Sequence, residues 1–285
     1  MIQSMTGYGK AVVELPQKKV TVEIKTLNSK NLDLNVRIPS FYREKELEIR
    51  SKLSKQLIRG KIDFSIFIEN IGGETSTIIN KEVVNNYIDQ LRTIAITSPE
   101  NTLEIAMRLP DALKTEREEL DEDQWSAIEK CIDESIVKVN QFRSDEGNVL
   151  KQDFTDRIQT ILQLSDQVTN LDEERLIYVR GRLEKAISDL KQTVDENRFE
   201  QELVYYLEKL DITEEKVRLN NHLDYFLKEL EGSDSNGKKL GFISQEIGRE
   251  INTTGSKSNF APMQKVVVQM KDELEKIKEQ LLNVL

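Results

Sequence analysis

The hydrophobic positions change period once along the chain. Up to about Asn70 they alternate; beyond Leu103 they recur at helical spacing. In Val20 to Leu27, VTVEIKTL, the apolar Val20, Val22 and Ile24 alternate with Thr21, Glu23 and Lys25, as in a half-buried strand. Leu32 to Ile38, LDLNVRI, repeats the alternation until Pro39 ends it. Ser4 to Leu15 is a further strand, opening on the turn-prone Thr6-Gly7-Tyr8-Gly9, and Ile62 to Ile68 is a fourth. Phe41 to Ile58 puts Leu47, Ile49, Leu53, Leu57 and Ile58 on one side of a helix. Arg59-Gly60-Lys61 closes it, with the glycine as C-terminal cap. Gly72 and Gly73 mark a loop, and Lys81 to Thr93 is a second helix. The order β-β-β-α-β-α predicts the N-terminal layer of an α+β protein.

The rest reads as a mainly α-helical body with long helical arms. Pro110 interrupts the helical pattern early, and Asp123 to Leu190 has a long apolar periodicity broken near Ser144 to Gly147. The arm from Glu146 to Val194, with Val149, Phe154, Ile158, Ile161 and Leu162, predicts long helices packed as a hairpin. Glu202 to Leu230, Leu240 to Asn252 and Val266 to Leu282 are further helices, the first two joined by a Gly/Ser loop at Gly232 to Gly237. This divides the chain into an N-terminal α+β domain (1–100), a helical arm region (101–195) and a C-terminal helical domain (196–285).

Composition narrows the classes. The 285 residues are 38% hydrophobic and 32% charged, enough for a core but polar, as helical assemblies tend to be. No run approaches the roughly 20 apolar residues of a membrane span. MIQSMTGYGK lacks the charged and apolar regions of a secretory signal, so a cytoplasmic protein with no membrane partner is expected. The single cysteine, Cys131, excludes an intrachain disulfide and CxxC zinc sites, and its helical spacing reads as a small buried hydrophobe. The net charge of −10 hides a split. Residues 1–70 hold 13 basic and 8 acidic side chains, the remainder 28 and 43. Phosphate binding follows local potential, so a basic N-terminal face beside an acidic body is compatible with RNA. An unevenly charged solvated surface accounts for the same split.

Candidate chemistry concentrates in Gly237 to Lys257, GKKLGFISQEIGREINTTGSK, and the only histidine, His222. On one predicted helix Glu215, Arg218 or Leu219, and His222 share a face, and Glu214 can pair with Arg218. On the next, Glu246, Arg249, Glu250 and Thr253 share a face. Two carboxylates four apart can both ligate a divalent cation, or one can ligate while the other acts as base. A surface Glu246–Arg249 ion pair explains the same spacing. If the loop at Gly237 folds the two helices together, the faces meet, and imidazole with carboxylates suits manganese better than magnesium. Lys238 and Lys239 before the acids, and Ser256 and Lys257 after them, offer phosphate donors near helix ends. Walker, Rossmann, nucleophile-elbow and HExxH patterns are all unmatched.

With these residues in view, the chain resembles the YicC/YloC family of bacterial endoribonucleases over essentially its whole length. The resemblance rests on Ser4-Met5-Thr6-Gly7-Tyr8-Gly9, Leu27-Asn28-Ser29-Lys30 with Leu32-Asp33, Arg37-Ile38-Pro39 and Arg59-Gly60-Lys61. It continues through Arg143 with Glu146-Gly147, Asn197-Arg198, Asp211-Ile212-Thr213-Glu214-Glu215, Arg218-Leu219 and His222. It closes on Gly237-Lys238-Lys239-Leu240, Phe242, Gln245-Glu246, Arg249-Glu250, Asn252-Thr253, Ser256-Lys257, Glu279-Gln280 and Asn283.

The resemblance implies a metal-dependent endonuclease acting on single-stranded RNA as a ring-shaped homo-oligomer, a hexamer, in association with other RNA-decay proteins. It implies a metal or acid–base role for His222, Glu246 and Glu250, with Glu215 as a further ligand. Arg218, Arg249, Lys238, Lys239, Ser256 and Lys257, with Lys30, Arg37, Arg59 and Lys61 of the N-terminal layer, would contact phosphate. Lys30 stands where the family carries an arginine, and Gly241 where it carries an acid. A non-catalytic RNA-binding adaptor that recruits another ribonuclease is the alternative; it needs no Glu246/Glu250/His222 cluster.

Overall fold

The computed structural model describes residues 2–71, 78–94, 98–114, 121–189, 196–232 and 235–285. The α+β class holds: a small N-terminal sheet precedes a helical body. Strands β1 (Gly7–Glu14), β2 (Lys18–Leu27), β3 (Leu32–Arg37) and β4 (Gly60–Asn70) form one sheet in the order β1-β2-β4-β3. The parallel β3–β4 pair requires a crossover, made by a 3-10 turn over Ser40–Lys45 and helix α1 (Glu46–Leu57). Val20, Val22, Ile24, Ile62 and Phe64 face one side and bury against Ile49, Leu53 and Leu57 of α1. Helices α2 (Lys81–Ile94) and α3 (Pro99–Arg108) pack on each other beside a two-stranded ribbon, β5 (Ile78–Ile79) and β6 (Leu113–Lys114). The predicted Gly72–Gly73 loop lies outside the described residues.

The axis of the molecule is α4 (Glu122–Asp189), one uninterrupted helix of 68 residues, about 100 Å at 1.5 Å per residue. Its first part, from Trp125 to Val139, covers the sheet. The sheet approaches so closely that a Cβ at Gly9 would sit 2.2 Å from the Ser135 carbonyl oxygen. The second part, from Phe154 to Val168, packs with α6 (Thr213–Leu230), α7 (Gly237–Lys257) and α8 (Ala261–Leu281). Cys131 is buried in the first region, and burial pushes its thiol up.

The expected break at Ser144 to Gly147 is absent, because tertiary contacts hold these poor helix formers helical. Arg143 is buried, Thr6 Oγ1 donates to Glu146 Oε2 at 2.5 Å, and Gly147 leaves room for the Ile2 carbonyl. The chain doubles back beyond Asp189 instead, where α5 (Glu196–Lys209) returns beside α4 and Glu200 pairs with Arg180 at 2.9 Å. The single helix predicted over Glu202 to Leu230 is two, α5 and α6, parted at Leu210–Ile212. There Asp211 caps α6 by accepting from the backbone N–H and hydroxyl of Thr213. The hydroxyl's donation holds the Asp211 carboxyl below its ordinary range.

The predicted glycine cap of α1 is also displaced. Gly60 opens β4 at φ +114°, while Ile58 takes φ 55°, ψ −53° after Leu57. The Arg59 N–H donates to the Leu57 carbonyl at 2.5 Å, so Ile58 centres a positive-φ γ-turn, a strained conformation for a β-branched residue. The Arg143 guanidinium donates to the carbonyls of Leu57, Arg59 and Met5 and to Thr26 Oγ1, clamping the turn from both sides. Nearby the two ends of the chain meet: Met5 N–H donates to the Asn283 carbonyl, Leu285 N–H to Gln3, and Asn28 Nδ2 to Leu282. Several of the resemblance motifs therefore serve one knot that joins the sheet to the C-terminal helices.

Candidate functional site

Helices α6 and α7 pack on each other along a seam, and two ion pairs set their register. Lys257 at the end of α7 donates to Glu215 Oε1 in the first turn of α6 at 2.7 Å. Lys239 in the first turn of α7 lies 2.7 Å from Glu229 near the end of α6, and 5.3 Å from the centre of the Tyr225 ring. The helices thus run antiparallel. His222, midway between Glu215 and Glu229, stands level with Gly248, midway between Lys239 and Lys257. That level lies between Glu246 and Glu250. The contacts observed across this helical hairpin are the Glu215–Lys257 and Glu229–Lys239 pairs at its two ends.

Local chemistry holds α7 in place. Asn236 Oδ1 accepts from the Lys239 N–H at its N-terminus. At its C-terminus the Gln264 amide donates to the Gly255 and Ser258 carbonyls, and the Gly255 carbonyl also accepts from the Ser258 N–H. Leu240, Ile243, Ile247 and Ile251 bury against α6, α4 and α8. Gly248 leaves Leu274 of α8 room to approach.

The candidate residues differ sharply in surroundings. Glu250 is only 4% exposed, with no hydrogen-bond or ion-pair partner among the described residues. Glu246 is exposed one turn earlier, and Arg249 stands 3.9 Å from it, the surface pair that the spacing allows. Glu215 is 5% exposed: one oxygen is held by Lys257 while Oε2, like Thr254 Oγ1 on the facing helix, is buried without a hydrogen-bond partner among the described residues. His222 is half-buried. Arg218 pairs with Glu214 on its own helix at 2.5 Å.

Of the proposed phosphate contacts, Lys238 is exposed, whereas Lys239 and Lys257 are engaged within the seam, Lys257 also on the Asp211 carbonyl at 2.8 Å. Ser256 donates to the Thr253 carbonyl. In the N-terminal layer the fold gathers Lys30, Arg59 and Lys61. Arg59 Nε donates to the Ser29 carbonyl, and Lys61 pairs with Leu27 and Asp33 across its two neighbours. Arg37 lies apart at the far end of β3, where it lines an open depression of about 400 Å³ with Arg43 and Phe67.

Among the described residues no three of His, Cys, Asp and Glu come together as a metal-holding group. His222, Glu215, Glu246 and Glu250 of one chain therefore do not by themselves fit a divalent ion. Sequence reasoning also missed the polar cluster at the foot of the seam. There buried Arg175 joins Asp172 to the Leu210 and Lys257 carbonyls, and Lys216 joins Asp172 from α6. Asp172 is a local i,i+3 partner of Arg175, but the Leu210 and Lys257 carbonyls lie on two other segments, which no local pattern announces.

Comparison with known proteins places the geometry in context. Residues 2–152 match the family description "Endoribonuclease YicC-like, N-terminal region", and residues 168–285 match "Endoribonuclease YicC-like, C-terminal". A Clostridioides difficile (strain 630) protein named "Probable endoribonuclease YicC" is 32% identical over the full length of both chains. A Haemophilus influenzae protein of the same name is 29% identical, again over the full length of both. Among the described residues no helix is long and apolar enough to cross a membrane.

Proposed function

This chain belongs to the YicC-like family of endoribonucleases, and from that premise we propose that it cuts single-stranded RNA at the α6–α7 seam. One arrangement supports the seam above other surfaces: the only imidazole of the chain stands level with two glutamates one turn apart, beside an exposed arginine. His222 and Glu246 are the groups able to take and return a proton at the attacking and leaving oxygens. Arg249 and Lys238 would offset the charge that develops on the scissile phosphate. The nucleophile is either water or the RNA 2′-hydroxyl.

A divalent ion, manganese before magnesium, is part of the proposal. The described residues of one chain offer no set of three donors, so such an ion would take further ligands from RNA or from a second copy, and we assign it no step. The active form is placed as a cytoplasmic hexameric ring, open to association with other RNA-decay proteins. The adaptor reading keeps one observation in its favour, that same lack of a three-donor group within the described residues.

The deciding experiment incubates labelled single-stranded RNA with the protein, with manganese and with chelator, beside a Glu246→Gln, Glu250→Gln variant matched for mass and folding. Cleavage by the wild type that the variant loses is the expected result. A 5′-phosphate on the product indicates water attack, and a 2′,3′-cyclic phosphate indicates internal attack. RNA bound tightly and left intact under every metal would replace the nuclease with the adaptor.

A further inference from the structure

Beside the Lys238 and Arg249 already assigned to phosphate, the outer face of α7 carries an aromatic ring that the acid–base reading does not use. Lys238, Phe242, Gln245, Arg249, Asn252 and Ser256 recur at alternating steps of four and three, and all six are exposed. Exposed Glu246 borders the stripe and pairs with Arg249 at 3.9 Å, whereas Lys238 has no ion pair among the described residues. Near the N-terminal end of the stripe the Phe242 ring is 68% exposed and has no ring contact among the described residues. Phe242 lies one turn from Lys238 and one turn from Glu246, about 9 Å along the helix from the level of His222 at 1.5 Å per residue. The neighbouring exposed aromatic, Tyr225 on α6, already carries the Lys239 ammonium over its ring. Phe242 is thus the aromatic face left open beside the seam.

We infer that Phe242 is a base-stacking platform that seats one nucleobase of single-stranded RNA next to the seam, with Lys238 and Arg249 on the flanking phosphates. The inference rests on the function proposed above and adds a positioning residue to it. Charge and shape favour this occupant: Lys238, Arg249 and the amides of Gln245 and Asn252 flank one open ring, which suits a polyanion with flat bases, the pattern of single-strand binders. Stacking tolerates any base, so the contact sets register along the strand without reading sequence. An apolar protein partner would leave Lys238, Gln245 and Arg249 facing an apolar surface without partners.

The test uses the full chain and a 5′-labelled oligouridylate in chelator, with intact RNA verified after each titration. Phe242→Leu keeps apolar volume and removes the ring. It is expected to weaken binding roughly 5- to 100-fold, the scale of one base stack, with particle mass unchanged. Phe242→Trp is expected to hold wild-type affinity. Trp125, the only native tryptophan, is 4% exposed, so the emission of the new exposed indole is separable and should be quenched by the oligonucleotide. Phe242→Leu binding within twofold of wild type overturns the inference and leaves the nuclease reading standing. A changed particle mass in Phe242→Leu also overturns it and makes the ring a contact between protein chains. Wild-type protein that neither binds nor cuts RNA removes the proposed function itself, and this inference with it.

Discussion

Replacing Arg143 with methionine asks whether a buried cation with no ion pair among the described residues stabilises this fold. Its side chain is 1% exposed, and burial drives its pKa well below the ordinary value, to about 10. A depression of that size corresponds to about 3 kcal/mol against the charged form. Opposing it are four hydrogen bonds of 3.1–3.4 Å to Thr26 Oγ1 and the carbonyls of Leu57, Met5 and Arg59. Charge-assisted bonds contribute about 1.5–3 kcal/mol each, and these lengths favour the lower figure. Two of the carbonyls keep a second donor, Leu57 from the Arg59 N–H and Met5 from Thr26 Oγ1. Relaxing the γ-turn at Ile58 would return about 1 kcal/mol. The balance is a loss of about 2–3 kcal/mol in Arg143→Met. Urea unfolding at fixed protomer concentration measures it, and amide exchange should quicken at Leu57 to Lys61 and at Met5 and Thr6. A methionine variant as stable as the wild type would show that desolvation cancels the bonds, and the clamp argument would fail.

Two further outcomes test other parts of the fold. Lys257→Met should destabilise the protein by about 2–3 kcal/mol, because Glu215 loses the one partner of its buried carboxylate, and adding Glu215→Gln should restore part of that; an unchanged melting temperature with weaker RNA binding would instead assign Lys257 to RNA. Glu273→Gln should cost about 1 kcal/mol at neutral pH, since Glu273 links Lys276 to Arg157 of α4. Lys276, then Arg157, holds the Glu273 carboxyl below its ordinary range, so its contribution is complete above that range and vanishes as pH falls through the folded-state value. A difference between wild type and Glu273→Gln that grows on acidification would contradict this.

How far the sequence reads ahead depends on how local each signal is. Strand alternation in Val20 to Leu27 survives into β2, because solvent on one side of a sheet and a core on the other impose that period, while Leu32 to Arg37 forms the edge strand β3 without alternating burial. The shared faces of Glu215 with His222, and of Glu246 with Glu250, are equally local, and helix geometry alone sets them. Ser144 to Gly147 misleads for the opposite reason: its weak propensity is local, while the clamp that overrides it comes from Ile2, Thr6 and Arg143's distant acceptors.

By itself, then, the sequence determined the periods, the faces and the family, each carried by residues within a few positions of one another. Only the tertiary structure decided that α4 runs unbroken, that Ile58 and not Gly60 takes the position after α1, and that Lys257 is held by Glu215. The antiparallel register that sets His222 level with Glu246 and Glu250 belongs there too. These features depend on pairs far apart in the chain, whose meeting follows from how whole elements bury their apolar faces, and no short-range pattern encodes that.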